Sequence, residues 1–111
     1  MPFRALPNSD GKLEMIAHVI EFQGEPDKLE VIGMKGFHDR VVPVLRAQPG
    51  FEGNLTLFNR ENGKMLGITL WDTEEHGRLA GARLEQERRT GVAEMSANSP
   101  LPDLYEVLSR I

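Results

Sequence analysis

The stretch FEGNLTLFNRENGKMLGITLWD constrains the fold more than any other part of the chain. Two alternating runs flank Asn62-Gly63, and Asn-Gly between such runs is a strong hairpin signal because both positions tolerate positive φ. With Asn62 and Gly63 as the two central turn residues, Glu61 faces Lys64 and the pairing counts outward. Phe58 then stands opposite Gly67, Thr56 opposite Thr69, Asn54 opposite Trp71, Leu57 opposite Ile68 and Leu55 opposite Leu70. The two faces separate. One carries Leu55, Leu57, Leu66, Ile68 and Leu70 and is wholly aliphatic; the other carries Asn54, Thr56, Phe58, Thr69 and Trp71. A slip of one residue would mix both sets, so the pattern itself argues for the separation.

Neither face suits open water. Small antiparallel sheets usually cover one face with helices and solvate the other, which gives apolar-in, polar-out alternation. Burying each aliphatic side chain of the first face contributes roughly 1.5–3 kcal/mol, and exposing all of them would leave a contiguous apolar patch. Two helices cannot cover both faces of a sheet, whereas a second copy of the chain can. Leu55, Leu57, Ile68 and Leu70 are therefore the predicted interface of a homodimer.

The rest of the chain supplies the other elements. At 111 residues it holds one core, read as an N-terminal arm over residues 1–12 and a single domain over 13–111. Residues 13–23 alternate as a strand, with Ile16, His18, Ile20 and Phe22 on one face and Met15, Ala17, Val19 and Glu21 on the other. Leu29, Ile32, Val41, Val44 and Leu45 recur at helical spacing, while Gly33, Gly36 and Pro43 predict a bent or broken helix, interrupted near Gly36 or Pro43. Asp72-Thr73-Glu74-Glu75 has the form of a capping box with Asp72 as N-cap. The helix that follows carries Leu79, Ala82 or alternatively Ala80, Leu84, and then Val92 and Met95, with RLEQERR as a solvated face. A last strand is predicted over residues 104–111. The order β-α-β-β-α-β is the split βαβ, ferredoxin-like motif of an α+β domain.

Composition removes whole classes of function. The formal net charge of -4 and the absence of clustered Lys and Arg argue against a nucleic-acid face or a polybasic membrane patch. Without a single cysteine there is no disulfide, thiolate nucleophile, iron–sulfur cluster or Cys-ligated zinc. His18, His38 and His76 are scattered, with no metal-ligand spacing, so no metal site is predicted. No transmembrane run or secretory h-region stands out, which makes a cytoplasmic location the default.

PGFEGNL, the N-R-x-N-G turn, GITLWDTEE and the final LYEVL together resemble the antibiotic biosynthesis monooxygenase family, over about Met15 to Leu108. The resemblance implies a dimeric α+β barrel, in which two four-stranded sheets pack face to face and each subunit keeps a cavity between its sheet and its helices. It also implies chemistry of several kinds. The family includes cofactor-independent oxygenases of phenols, quinols and anthrones, haem-degrading enzymes, and members with no known reaction. Haem-degrading relatives carry an Asn on strand one and a ligating His well inside the second helix. Here strand one offers His18, and the second helix has only His76, in its first turn.

On that footing the candidate site can be named. Trp71 reads either as a core aromatic between sheet and helices or as the wall for a planar substrate, with Thr69, Thr56, Phe58 and Tyr105 as further substrate-binding residues. Asn54 either satisfies nearby backbone groups or orients a phenolic hydroxyl and stabilises a developing oxyanion. His18 is either a satisfied interior histidine or the general base, since its ordinary pKa is near neutrality. The function read from these residues is a cofactor-independent monooxygenase of a small aromatic substrate. The other reading is a small-ligand-binding or stress-related dimer without turnover.

Overall fold

Four antiparallel strands, β1 (Ile16–Gln23), β2 (Phe51–Asn59), β3 (Lys64–Trp71) and β4 (Asp103–Glu106), form one sheet in the order β2-β3-β1-β4. A computed structural model describes residues 15–95, 98 and 101–111; the arm predicted over residues 1–12 lies outside them. β3 is inserted between β1 and β2, and β1 between β3 and β4, each pair antiparallel. Two interleaved βαβ units result, which is the predicted split βαβ topology of an α+β fold. The last strand stops at Glu106, shorter than predicted, although Val107 still donates its backbone N–H to Met15 at 3.0 Å.

The hairpin is real but its register is not the predicted one. Asn59 pairs with Lys64, Phe58 with Met65, Leu57 with Leu66, Thr56 with Gly67, Leu55 with Ile68 and Asn54 with Thr69. The loop therefore spans residues 60–63 instead of the Asn62-Gly63 pair. Two asparagine side chains stabilise this longer turn: Asn59 Oδ1 accepts the N–H groups of Glu61 (3.0 Å) and Asn62 (3.4 Å), and Asn62 Oδ1 accepts that of Lys64 (3.0 Å). Such side chains mimic backbone turns, and Gly63 takes the left-handed φ of 70° that closes the loop. The shift is by two residues, an even number, so every side chain keeps its predicted face.

The first helical segment, α1, occupies residues 28–47 and is wound unevenly: π-helical over Lys28–Gly33, α-helical over Met34–Gly36, π-helical over Phe37–Val41 and α-helical over Val42–Ala47. Backbone angles stay right-handed helical at every junction, and the helix ends only at Gln48, which is extended. The predicted break is thus a change of winding. A π-turn bonds i to i+5, which lets the chain absorb its glycines and Pro43 without leaving the helical region. The second helix, α2, is Glu74–Met95. Its cap is Thr73, one residue later than predicted: Thr73 Oγ1 accepts the N–H of His76 at 3.1 Å. Asp72 is occupied instead by His76 Nδ1, at 2.7 Å.

Both helices pack on one face of the sheet. Ile16, Leu45, Trp71 and Ala80 form one buried cluster with Phe37, Val41, Phe51 and Leu84 against it; Leu29 and Met65 form a second with Phe22, Met34 and Phe58. Among the described residues the other face has no such cover. Leu55 is 59% exposed and Leu57 47% exposed there. No helix among the described residues is long and apolar enough to cross a membrane.

Candidate functional site

Between the helices and the sheet lies a cavity of about 180 Å³. Its floor comes from β1, β2 and β3 and its walls from α1 and α2. The space exists because α2 approaches the sheet through small residues. Gly77, Ala80, Gly81 and Leu84 follow the i, i+3, i+4, i+7 spacing of an inward stripe, and a Cβ added at Gly77 would sit 2.8 Å from His18 Nε2 and 3.1 Å from Trp71 Cδ1. Beyond Leu84 the same stripe turns charged, through Glu85 and Arg88, and both line the cavity.

Trp71, 1% exposed, is the centre of the apolar wall. Phe51 packs edge-on against it with ring centroids 5.8 Å apart, and His18 lies tilted at 6.2 Å. Ile20, Phe22, Met65, Leu45 and Val41 continue the apolar lining. Across this surface runs a short polar chain: Asn54 Nδ2 donates to Thr69 Oγ1 at 2.9 Å, and Thr56 Oγ1 donates to Asn54 Oδ1 at 3.4 Å. A primary amide carries two N–H donors, and among the described residues only one of Asn54's is taken. Gly67, opposite Thr56 on one side and Ile20 on the other, keeps the floor open beside this chain.

Burial lowers the pKa of His18, because desolvation penalises the imidazolium form. Its Nε2 and the indole Nε1 of Trp71 are buried without a hydrogen-bond partner among the described residues. At the far end Arg88 grips Glu85 through two hydrogen bonds, Nε to Oε2 at 3.0 Å and Nη2 to Oε1 at 2.6 Å. Those bonds, with Arg89 adding another, hold the Glu85 carboxyl down at about 2. Arg40 reaches from α1 to Glu94 (3.0 Å) and Glu87 (3.7 Å) on α2. Among the described residues no group of three His, Asp or Glu side chains could hold a metal ion.

No family profile matches the chain, and no curated protein does. Solved structures do. SnoaB, a cofactor-independent oxygenase from Streptomyces nogalater, superposes with a TM-score of 0.62 at 17% identity over 88% of this chain and 97% of its own. A candidate antibiotic biosynthesis monooxygenase from Caulobacter crescentus CB15 gives 0.65 at 17% identity over 87% and 92%. The ActVA-Orf6 monooxygenase of Streptomyces coelicolor, solved with nanaomycin D, gives 0.61 at 15% identity over 88% of each chain. The chain has the fold of the antibiotic biosynthesis monooxygenases.

Within this monooxygenase-type fold the predicted residues fall into two groups. His18, Asn54, Thr56, Thr69 and Trp71 all line the one cavity. Phe58 and Tyr105 do not. Phe58 is on the correct face but too near the hairpin loop, packed on the Leu29–Met65 cluster with the Arg60 guanidinium 5.3 Å from its ring centroid. Tyr105 pairs with Ala17 in the sheet, so it shares Ala17's face, opposite His18, and is 54% exposed. The strand-one alternation that put His18 inside fixes this once the pairing is known.

Other lining residues were missed. Arg40 had no assigned role, and Glu85 and Arg88 were read as part of the solvated face RLEQERR. The available signal was Gly77 and Gly81, one turn apart, which mark the helix face that comes closest to its neighbour. Counting on from them by helical spacing reaches Leu84, Glu85 and Arg88. Leu79 and Ala82, by contrast, are exposed, and Ala80 is the buried alanine.

Proposed function

We propose that the chain is a cofactor-independent monooxygenase of a small aromatic substrate, quinol- or anthrone-like, working as a homodimer. The observation that carries this reading is the pairing of an apolar, Trp71-walled cavity with the Asn54–Thr69 hydrogen bond on its floor. The fold shared with SnoaB, a cofactor-independent oxygenase, supports it. So does the fold shared with ActVA-Orf6, which was solved with nanaomycin D.

The chemistry asks little of the protein. Loss of a proton makes an anthrone-type substrate electron-rich enough to reduce oxygen. One oxygen atom becomes the new carbonyl, replacing the two hydrogens of the methylene, and the other leaves as water. The cavity's part is to hold the ring against Trp71, exclude bulk water and present the second N–H of Asn54 to the oxygen on which charge develops. His18, neutral through burial, is the candidate base.

A second reading has one observation in its favour. The ring nitrogens of His18 lie along the glycines of α2, with Nε2 buried and unpaired there. A histidine so placed suits packing as well as proton transfer, and the protein would then be a small-ligand-binding dimer without turnover. Oxygen uptake with an anthrone-type substrate separates the two. The enzyme reading expects consumption above the buffer rate without added flavin or metal. It expects Asn54→Ala to lower kcat on the order of a hundredfold, the scale of losing one oxyanion donor, and Trp71→Phe to raise KM more than it lowers kcat. Saturable binding with no uptake would favour the second reading.

A further inference from the structure

The cavity meets a second, outer depression of similar size, beside the exposed Val31, and the two share Ile32, Gly36, Arg40 and Glu94 in their linings. Those shared residues form a partition. Arg40 spans it from the π-helical turn of α1 to Glu94 and Glu87 on α2, and the three side chains are only 35%, 39% and 30% exposed. We propose that this partition is the entrance of the cavity, that Arg40 is its gate, and that a neutral planar aromatic passes between the two helices when the Arg40 clasp parts. The proposal rests on the reading that the cavity holds such a ligand.

Four features support a gate over a fixed wall. First, the clasp is a partly exposed ion pair, the kind that contributes little to stability and is cheap to open. It is also incomplete: Arg40 Nε is buried with no hydrogen bond among the described residues, and the Glu87 carboxylate is 3.7 Å away. Second, Arg40 folds flat over Gly36, where an added Cβ would lie 2.7 Å from Nη2. The glycine is what lets the guanidinium cross. Third, Gly91 on α2 also lines the cavity, and a Cβ there would meet nothing within 4 Å. The passage is therefore wide on that side for want of a side chain. Fourth, the flanking charges pair locally, Lys35 with Asp39 and Arg88 with Glu85, while Arg40 faces both Glu87 and Glu94. The slot therefore carries a small negative excess that opposes an anion and leaves a neutral ring free to pass.

The chain has a single tryptophan, and it stands in the cavity, so Trp71 fluorescence reports entry directly. Two probes are needed: 1,4-naphthoquinone as a planar neutral ligand followed by stopped flow, and acrylamide as a small diffuser that needs no site. The gate predicts that Arg40→Met, Glu94→Gln and Gly36→Ala each raise naphthoquinone binding and release rates together, roughly two- to five-fold, the range open to a partly exposed ion pair. Acrylamide quenching should rise in the same variants. Raising KCl from about 0.05 M to about 0.5 M should speed entry in the wild type but not in Arg40→Met, because screening acts on the clasp. Gly91→Leu should slow entry of both probes. Unchanged rates and unchanged acrylamide quenching in all four variants would overturn the proposal. If naphthoquinone does not saturate but acrylamide quenching rises in Arg40→Met and falls in Gly91→Leu, the gate stands and the aromatic-ligand reading is what fails.

Discussion

The two faces of the β2–β3 hairpin are built from the same strands and end in opposite conditions. On the inner face Asn54, Thr56 and Thr69 bond one another, and Trp71 is 1% exposed under the helices. On the outer face Leu55 and Leu57 stand 59% and 47% exposed, and Tyr105 adds an exposed aromatic. Polar residues are half-buried on the inner face, while Leu55 and Leu57 on the outer face are exposed. Hydrophobicity along the strand does not decide this, because the helices cover whichever face the connections β1–α1–β2 and β3–α2–β4 lead them to. Among the described residues the inner face is covered and the outer face is not. We propose that a second copy completes it.

The largest expected effect comes from attacking the outer face. Leu57→Asp or Ile68→Asp should abolish the dimer, since each places a charge without a partner in the interface, on the order of 3–5 kcal/mol. Light scattering would register a fall to the monomer mass. Either variant should keep its Trp71 emission, because the inner face does not depend on the outer one.

Next in size is Gly77→Ala, which tests the inner face. In an open helix the change would gain about 1 kcal/mol of propensity. Here the new Cβ meets His18 Nε2 at 2.8 Å and the indole at 3.1 Å, and overpacking of a well-filled site costs about 1–3 kcal/mol. Urea unfolding should show a net loss. Gly91→Ala is the control: with open space around its Cβ, it should keep the propensity gain. Gains at both sites would mean that α2 does not touch the sheet where described.

The smallest effect is a pH dependence. Burial lowers the His18 pKa from its ordinary 6.5, so below that pH the unfolded chain binds a proton that the folded chain refuses. Stability contributed by neutral His18 is then present above about 6.5, falls as the pH drops, and levels off below the folded-state pKa. The difference in denaturation midpoint between about pH 8 and about pH 5.5 should shrink in His18→Asn. An equal difference in both proteins would mean that His18 is solvated.

Much of this was legible in the sequence, and the reasons differ by residue. Period-two alternation told faces apart, and the family resemblance supplied the cavity, so Asn54, Thr56, Thr69, Trp71 and His18 were named together as candidate site residues. Alternation could not give distance along the strand. The side chains of Asn59 and Asn62 moved the register by two, Phe58 landed on the Leu29–Met65 cluster, and Tyr105 took the face of Ala17. The charged stretch on α2 misled for another reason. Glu85 and Arg88 neutralise each other through paired hydrogen bonds, so their charge did not keep them out of the cavity wall. In α1, glycine and proline signalled a break where the chain found a wider winding.

The claim that one face is finished and the other waits for a partner is tested most directly by the mass of the wild-type protein in solution. Light scattering behind gel filtration at micromolar concentration should give twice the 12.5 kDa of the chain, unchanged on dilution through that range. A stable monomer of 12.5 kDa would contradict it, because Leu55 and Leu57 would then stand in water with nothing among the described residues to cover them.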